Sequence, residues 1–219
     1  MADLKLSEVD KLQTKEYWDT RYQKDGEAKT FDWFKTFKDL EPFFRKHISW
    51  DNEGTGSSLK ILMLGCGNSA LFLQTLSKDL YDSGLKNITN VDYSDVCIAQ
   101  MAELHKDQPE MTWHVMDVRD MKEFKDGEFD IAIDKGTLDA FLSYTGSIWT
   151  IPEDIKESAL KYMDETNRVL KPTGRMLYIS YRQPHFARLI IDRPYWKMET
   201  ETLSDSSGSF DYFGYVLQK

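Results

Sequence analysis

The sequence predicts an α/β fold: a doubly wound, seven-stranded, mostly parallel sheet ending in an antiparallel hairpin. Three observations carry this. From residue 59 onward, short apolar runs of strand length alternate with segments of helical spacing, the pattern of βαβ units with parallel strands. Two later runs, 195–203 and 212–218, are joined only by Ser204-Asp205-Ser206-Ser207-Gly208-Ser209. That is too little chain for a crossover helix, so they pair antiparallel. Finally, the first apolar run ends in Gly65-Cys66-Gly67, a glycine pair at the strand end where such sheets bind ligands.

In chain order, residues 7–23 read as a helix, with Ser7 as N-cap and Asp10 three positions on. Trp18 and Tyr22 are four apart and share one helix face. Nine aromatic residues crowd the stretch 17–44, among them Phe31, Trp33 and Phe34. They suit either a core-packing N-terminal subdomain or an aromatic lid over a flat ligand, and the two are compatible. The expected organisation is a single domain over 1–219, with 1–50 as a helical aromatic lid and 59–219 as the sheet core. Residues 51–58 (DNEGTGSS) hold no large apolar side chain and form a loop. Strands are expected at 59–64, 87–92, 112–118, 129–134 and 175–181. Helices are expected at 70–82 (Leu71, Leu73, Leu76, Leu80), 94–105 and 154–170, the last stopped by Lys171-Pro172-Thr173-Gly174.

Composition bounds the function. A chain of 219 residues suits one domain, and its net charge of −9 argues against gripping nucleic acid by general phosphate neutralisation. The run Ile61-Leu62-Met63-Leu64 is far short of the ~20 apolar residues of a membrane span. Residues 1–10 lack the apolar stretch of a secretory signal. Cys66 and Cys97, with thirty positions between them, give no disulfide framework or thiolate metal site. The histidines, His47, His105, His114 and His185, lack metal-ligand spacing. These features predict a cytoplasmic protein with no metal, no membrane and no direct nucleic-acid partner.

Strand ends carry the candidate chemistry. Gly65 and Gly67 allow close backbone approach to a ligand, and the helix start beyond them offers unpaired N–H groups. Taken alone, the pair also fits a tight turn with nothing bound. Asp92 ends the second strand some twenty-odd residues later, placed to accept both hydroxyls of an adenosine ribose. Its alternative is a cap on the next helix beside Ser94. Asp117 ends the third strand, where a carboxylate can accept from an adenine amine or stand solvated. Three such features in register point to adenosine. Ala70 stands where the dinucleotide pattern has its third glycine, a place that pattern also allows to be Ala; more telling, no second substrate-binding half follows the sheet, and the hairpin tail resembles that of a class I methyltransferase.

The strings LGCGNSAL (64–71), ITNVDYS (88–94), MDVRD (116–120), DKGTLDA (134–140) and QPHF (183–186), with EYWDTRY (16–22) and FDWF (31–34), complete the picture. Over nearly the whole chain they resemble the methyltransferase-like family that modifies translation elongation factor one-alpha on lysine. The resemblance implies a Rossmann-like class I fold, S-adenosylmethionine as cofactor and a protein substrate, elongation factor one-alpha. It implies cofactor contacts by Trp18, Tyr22, Trp33, Gly65, Asp92, Tyr93, Asp117, Val118 and Lys135; Gly67 joins them from the glycine turn. Asp134, where some relatives carry Glu, becomes the candidate catalytic residue, orienting the acceptor amine and passing on its proton, or else a cap on its own turn. Lys135 is placed to pair with the cofactor's methionyl carboxylate, or is a solvated loop lysine. His185, Trp149 and Pro152 are open candidates for substrate contact.

Overall fold

The computed structural model describes residues 7–24, 34–49, 58–68, 75–147, 149–203 and 211–219. Its strands are β1 Ile61–Leu64, β2 Ile88–Asp92, β3 Met111–Val115, β4 Phe129–Lys135, β5 Leu170–Ser180, β6 Lys197–Thr202 and β7 Phe213–Gln218. The described helices are a 3-10 turn at Asp10–Gln13, then α1 Lys15–Lys24, α2 Phe37–His47, α3 Leu76–Asp82, α4 Asp95–Leu104, α5 Thr137–Phe141, α6 Glu153–Val169 and α7 Pro184–Ile191. The strands form one seven-stranded sheet in the order β3-β2-β1-β4-β5-β7-β6. Pairs from β3 through β5 are parallel, while β7 runs antiparallel to both β5 and β6. Strand order reverses between β1 and β4, and a ligand crevice belongs at the carboxyl ends there.

Both sheet faces are covered, and buried residues alternate along the strands between two cores, apart from Phe129 at the irregular start of β4. Leu62, Leu64, Ala132, Met176, Tyr178, Tyr215 and Leu217 join α5, α6 and α7 on one face. Ile61, Met63, Ile131, Ile133, Leu177, Ile179 and Val216 join α2 and α3 on the other. This period of two makes a one-residue register slip exchange the two cores, which fixes the register. The outermost strand, β6, reads Lys-Met-Glu-Thr-Glu-Thr, and its charges protect an open edge from pairing with another chain.

The structure revises several boundaries. Residues 7–24 are two pieces, because Thr14 is extended (φ −103°, ψ 139°) between the 3-10 turn and α1. The cap of the 3-10 turn is Val9 rather than the expected Ser7, although Asp10 N donates to Ser7 Oγ at 3.1 Å and Ser7 N to an Asp10 oxygen at 3.3 Å. β3 stops at Val115 rather than 118, since Asp117 turns the chain by accepting from Arg119 N at 2.9 Å while Met116 and Val118 drop into the core. Lys171-Pro172-Thr173-Gly174 is not a loop after the helix. Phe129 pairs with Leu170 and Ile131 with Arg175, so these four residues bulge opposite Asp130, whose oxygens take Lys171 Nζ at 2.7 and 2.8 Å. Accordingly β5 begins at Leu170 and ends at Ser180, one residue short of the expected end.

The lid expected over 1–50 also divides. α2 is core: Leu40, Phe43 and Phe44 are buried, and a Cβ on Gly214 of β7 would fall 2.6 Å from the Phe43 ring. Among the described residues of this stretch, those reaching the site described next lie in the segment 7–24 or are Phe34. Residues 51–57 of the loop expected at 51–58, residues 70–74 of the helix expected at 70–82 and the hairpin turn expected at 204–209 lie outside the described residues.

Candidate functional site

At the β1/β4 reversal the carboxyl edge of the sheet opens into a cavity of about 190 Å³. Gly65 and Gly67 line it, at φ +65° and +57°, the left-handed region that an L side chain avoids. The space above Gly65 is taken as well, because a Cβ there would lie 2.2 Å from Thr137 Oγ1. That hydroxyl donates to Leu64 O at 2.7 Å and so ties the β1 turn to the start of α5.

Asp92 closes β2 beside this turn and is 4% exposed. One oxygen accepts from Gly67 N at 3.1 Å and the other from Ser94 N at 3.0 Å. Burial pushes its carboxyl up to about 6, against the pull of those two amides. The helix cap is Ser94, whose hydroxyl accepts from Cys97 N at 3.2 Å, so Asp92 is left facing the cavity. Each of its oxygens keeps a lone pair for a ligand hydroxyl.

Tyr93, Asp117 and Val118 line the same cavity. Burial and the Asp92 charge raise the Tyr93 phenol. Burial also works against the Asp117 charge, yet Arg119 outweighs it through Nε at 2.9 and 3.1 Å and a terminal nitrogen at 2.5 Å, leaving the carboxyl below its ordinary value. Arg119 is in turn held by Ser158 Oγ at 2.8 Å and lies over the Phe141 ring. Its role is written in MDVRD only as a charge two residues after the aspartate, and the strand-end reading passed it by.

Trp18 and Tyr22 form another wall, their ring centroids 5.8 Å apart. Their helix is fastened to α4 at several points. Ser94 Oγ donates to Asp19 at 2.5 Å, Gln100 Nε2 donates to Tyr22 O at 3.1 Å, and Lys15 bridges Asp19 and Asp95 at 2.6 Å each. Lys135 also lines the cavity. Trp33 lies outside the described residues.

Asp134 stands apart. It is fully buried, and its oxygens accept from Thr137 N at 2.7 Å, Leu138 N at 2.9 Å and Tyr162 Oη at 2.8 Å. This carboxylate starts α5, the cap role that the sequence offered beside the catalytic one, and it is not among the residues lining the cavity. Burial and neighbouring Asp139 push it up to about 7.

The carboxylate at this end that does line the cavity is Asp139, which the strand-end reading missed because it sits inside a helix. It accepts from Ser180 Oγ at 2.7 Å and Tyr178 Oη at 2.9 Å, with Arg182 Nε at 3.5 Å. Burial pushes it up to about 6 despite these partners. Phe34, Phe141 and Tyr181 wall this end. Phe34 sits against Gly136, where a Cβ would come within 2.8 Å of its ring.

Among the described residues Cys66, Asp92 and Cys97 bring donor atoms within 4.8 Å of one another. Cys66 gains from its hydrogen bond with Cys97, but burial still pushes its thiol up; Cys97 is raised by that same bond and by burial. Both cysteines also pack in the small cluster with Tyr22 and Met101. No described helix is long and apolar enough to cross a membrane.

A doubly wound sheet with an antiparallel tail, a glycine turn and strand-end acids around one cavity has the architecture of class I methyltransferases. The comparisons agree. The methyltransferase-domain family matches residues 62–178, just over half of the chain, and the chain belongs to that family. EEF1A lysine methyltransferase 4 of Bos taurus is 34% identical over 210 residues, covering 93% of this chain and 74% of the relative. The human eEF1A lysine and N-terminal methyltransferase is 34% identical over 199 residues, covering 87% of this chain but 25% of that larger protein. Among solved structures, magnesium protoporphyrin IX methyltransferase from Synechocystis, with SAM bound, covers 100% of both chains at a TM-score of 0.61 and 14% identity, a likeness of fold.

Proposed function

We propose that this chain is a cytoplasmic S-adenosylmethionine-dependent protein-lysine methyltransferase acting on translation elongation factor 1A. The observation that carries the cofactor is Asp92, a buried carboxylate at the β2 end, locked to the Gly67 amide and open to a cavity. The substrate comes from the relatives, whose names state lysine methylation of that factor.

The residues present fit the cofactor. Gly67 leaves room for a ligand against bare backbone while Gly65 makes the turn beneath Thr137, and Asp92 is placed to accept the ribose hydroxyls. Asp117 and Val118 take the adenine, with Arg119 fixing the Asp117 carboxylate. Trp18, Tyr22 and Tyr93 supply flat apolar walls, and Trp33 joins them on the strength of the sequence resemblance. Lys135 offers a cation to the methionyl carboxylate. When bound, S-adenosylmethionine supplies an electrophilic methyl group on a sulfonium.

The protein's own task is to present a neutral amine in line with that methyl. A lysine with a pKa near 10.4 holds its proton at pH 7.4 by about 4 kcal/mol. Phe34, Phe141 and Tyr181 desolvate that end of the cavity, which disfavours the ammonium and lowers this cost. Asp139 faces the same end, held rigid by Ser180 and Tyr178, and orients the acceptor nitrogen. Asp134 acts through structure, by starting α5 and so placing Lys135, Thr137 and Asp139.

Incubation with methyl-labelled S-adenosylmethionine and purified elongation factor 1A tests this. The wild type is expected to label the factor on lysine and Asp92→Ala is expected not to. Label confined to small molecules of a lysate would replace the protein substrate with a metabolite.

A further inference from the structure

A second cavity, of about 320 Å³, opens beside the first and shares Ser143 and Tyr181 with it. Leu142, Tyr144 and Phe186 give it apolar walls. Large apolar side chains are exposed around it. Among the described residues five such side chains stand out, and Val9 (47% exposed) and Tyr181 (48%) both line this cavity. A third, Trp149 (72%), lies edge-on to Phe186 at 5.0 Å between ring centroids.

Trp149 is presented on a braced loop. Tyr144 Oη reaches Ser147 O at 2.7 Å and Thr150 O at 3.2 Å, closing the loop from beneath. Thr145 N donates to Asp10 Oδ1 at 2.7 Å, tying the loop to the N-terminal turn. His185 stacks under the indole at 6.1 Å. A large, exposed but preorganised ring of this kind is the side chain that most often dominates a protein interface.

Donor and acceptor must meet, and with the cofactor in the first cavity the acceptor has to arrive through an adjoining opening. We propose that the second cavity is the port through which a substrate protein inserts its acceptor lysine, and that Trp149 anchors that protein at the surface. The inference rests on the protein-methyltransferase reading. A lysine stem of four methylenes suits walls made of Leu142, Tyr144 and Tyr181, with its nitrogen delivered past Ser143 toward Asp139. A macromolecule is favoured over a metabolite because Trp149 lines neither cavity: a molecule small enough to sit inside would leave the indole bare.

The test compares wild type, Trp149→Ala and Trp149→Phe, measuring cofactor affinity and methylation kinetics with elongation factor 1A and with lysate proteins. Trp149→Ala is expected to raise KM for the protein substrate at least tenfold, with kcat within twofold and cofactor affinity unchanged; Trp149→Phe is expected to restore most of the KM. An unchanged KM in Trp149→Ala overturns the port while leaving the methyltransferase reading intact. A wild type that binds cofactor but labels no protein overturns both.

Discussion

At the scale of single residues, two aspartates at strand ends look alike in sequence and differ in what holds them. Asp92 keeps lone pairs toward the cavity, whereas Asp134 spends its oxygens on two backbone amides and a tyrosine. Asp134→Asn would set an amide donor against the Leu138 or Thr137 N–H, an unsatisfied buried pair costing about 1–3 kcal/mol. The expected outcome is a clear loss of melting temperature with turnover per folded molecule nearly unchanged; a collapse of kcat at full stability would return Asp134 to the chemistry. Asp92 carries a different prediction. Its folded-state pKa is about 6, and ligand hydroxyls donate to the ionised form. Cofactor affinity is therefore full above pH 6 and falls as pH drops below it, by at most tenfold per unit. Dissociation constants at pH 5.5, 6.5 and 7.5 check this, and Asp92→Asn should bind weakly with no such slope. Sequence put Asp92 at the end of β2, where the structure has it lining the cavity, because a strand-end acid after a glycine turn is a spatial statement. For Asp134 it left catalysis and a cap open, because the same rule does not weigh the helix that starts three residues later and takes the carboxylate's hydrogen bonds.

At the scale of elements, the strands were the most legible, since runs such as Ile-Leu-Met-Leu and Phe-Asp-Ile-Ala-Ile-Asp state their burial directly. The hairpin followed from spacing alone. α2 was not, although Thr36 and Asp39 form a capping box and Leu40, Phe43, Phe44 and His47 share its buried face; Pro42 inside the helix hides the pattern. α7 begins with Pro184 and buries Ala187, Ile190 and Ile191, a helix that a reading focused on His185 overlooked. These elements divide the aromatic N-terminus between two tasks, with α2 in the core and α1 beside the cavity. Deleting residues 1–24 should therefore weaken cofactor binding by an order of magnitude or more, because Trp18 and Tyr22 go with it. The sheet should still unfold cooperatively, its two main cores being intact. Equal affinity in the shortened chain would show that α1 is no part of the site.

At the scale of the whole molecule, the site imposes a pH dependence on stability. Asp92, Asp134 and Asp139 are buried at the carboxyl edge, and burial pushes them up to about 6, 7 and 6 from an ordinary 3.8. Because the folded-state values lie above the unfolded ones, the folded protein holds more protons between about pH 4 and pH 7, and stability falls as pH rises through that window. A shift of two units in one such group corresponds to on the order of 3 kcal/mol. Asp134 and Asp139 repel each other's charge, so they share rather than double that effect. Lowered groups act in the opposite sense, Asp117 and His105 among them. Asp117, lowered overall by Arg119 against its burial, reaches its full stabilisation as pH rises to its ordinary value, below this window, and so leaves the trend within it unchanged. His105, lowered by burial, favours the fold above pH 6.5 and offsets part of the fall. Three raised acids outweigh one histidine, so the cofactor-free protein should melt roughly 5–10 °C lower at pH 7.5 than at pH 5.5. Thermal unfolding in the two buffers at equal ionic strength measures it. Saturating S-adenosylmethionine should flatten the slope by drawing Asp92 back to its charged form, and Asp134→Asn should flatten it by removing one titrating group. A melting temperature that rises across this range would mean that water or side-chain motion keeps these carboxylates charged, and that the cavity edge is wetter than its burial implies.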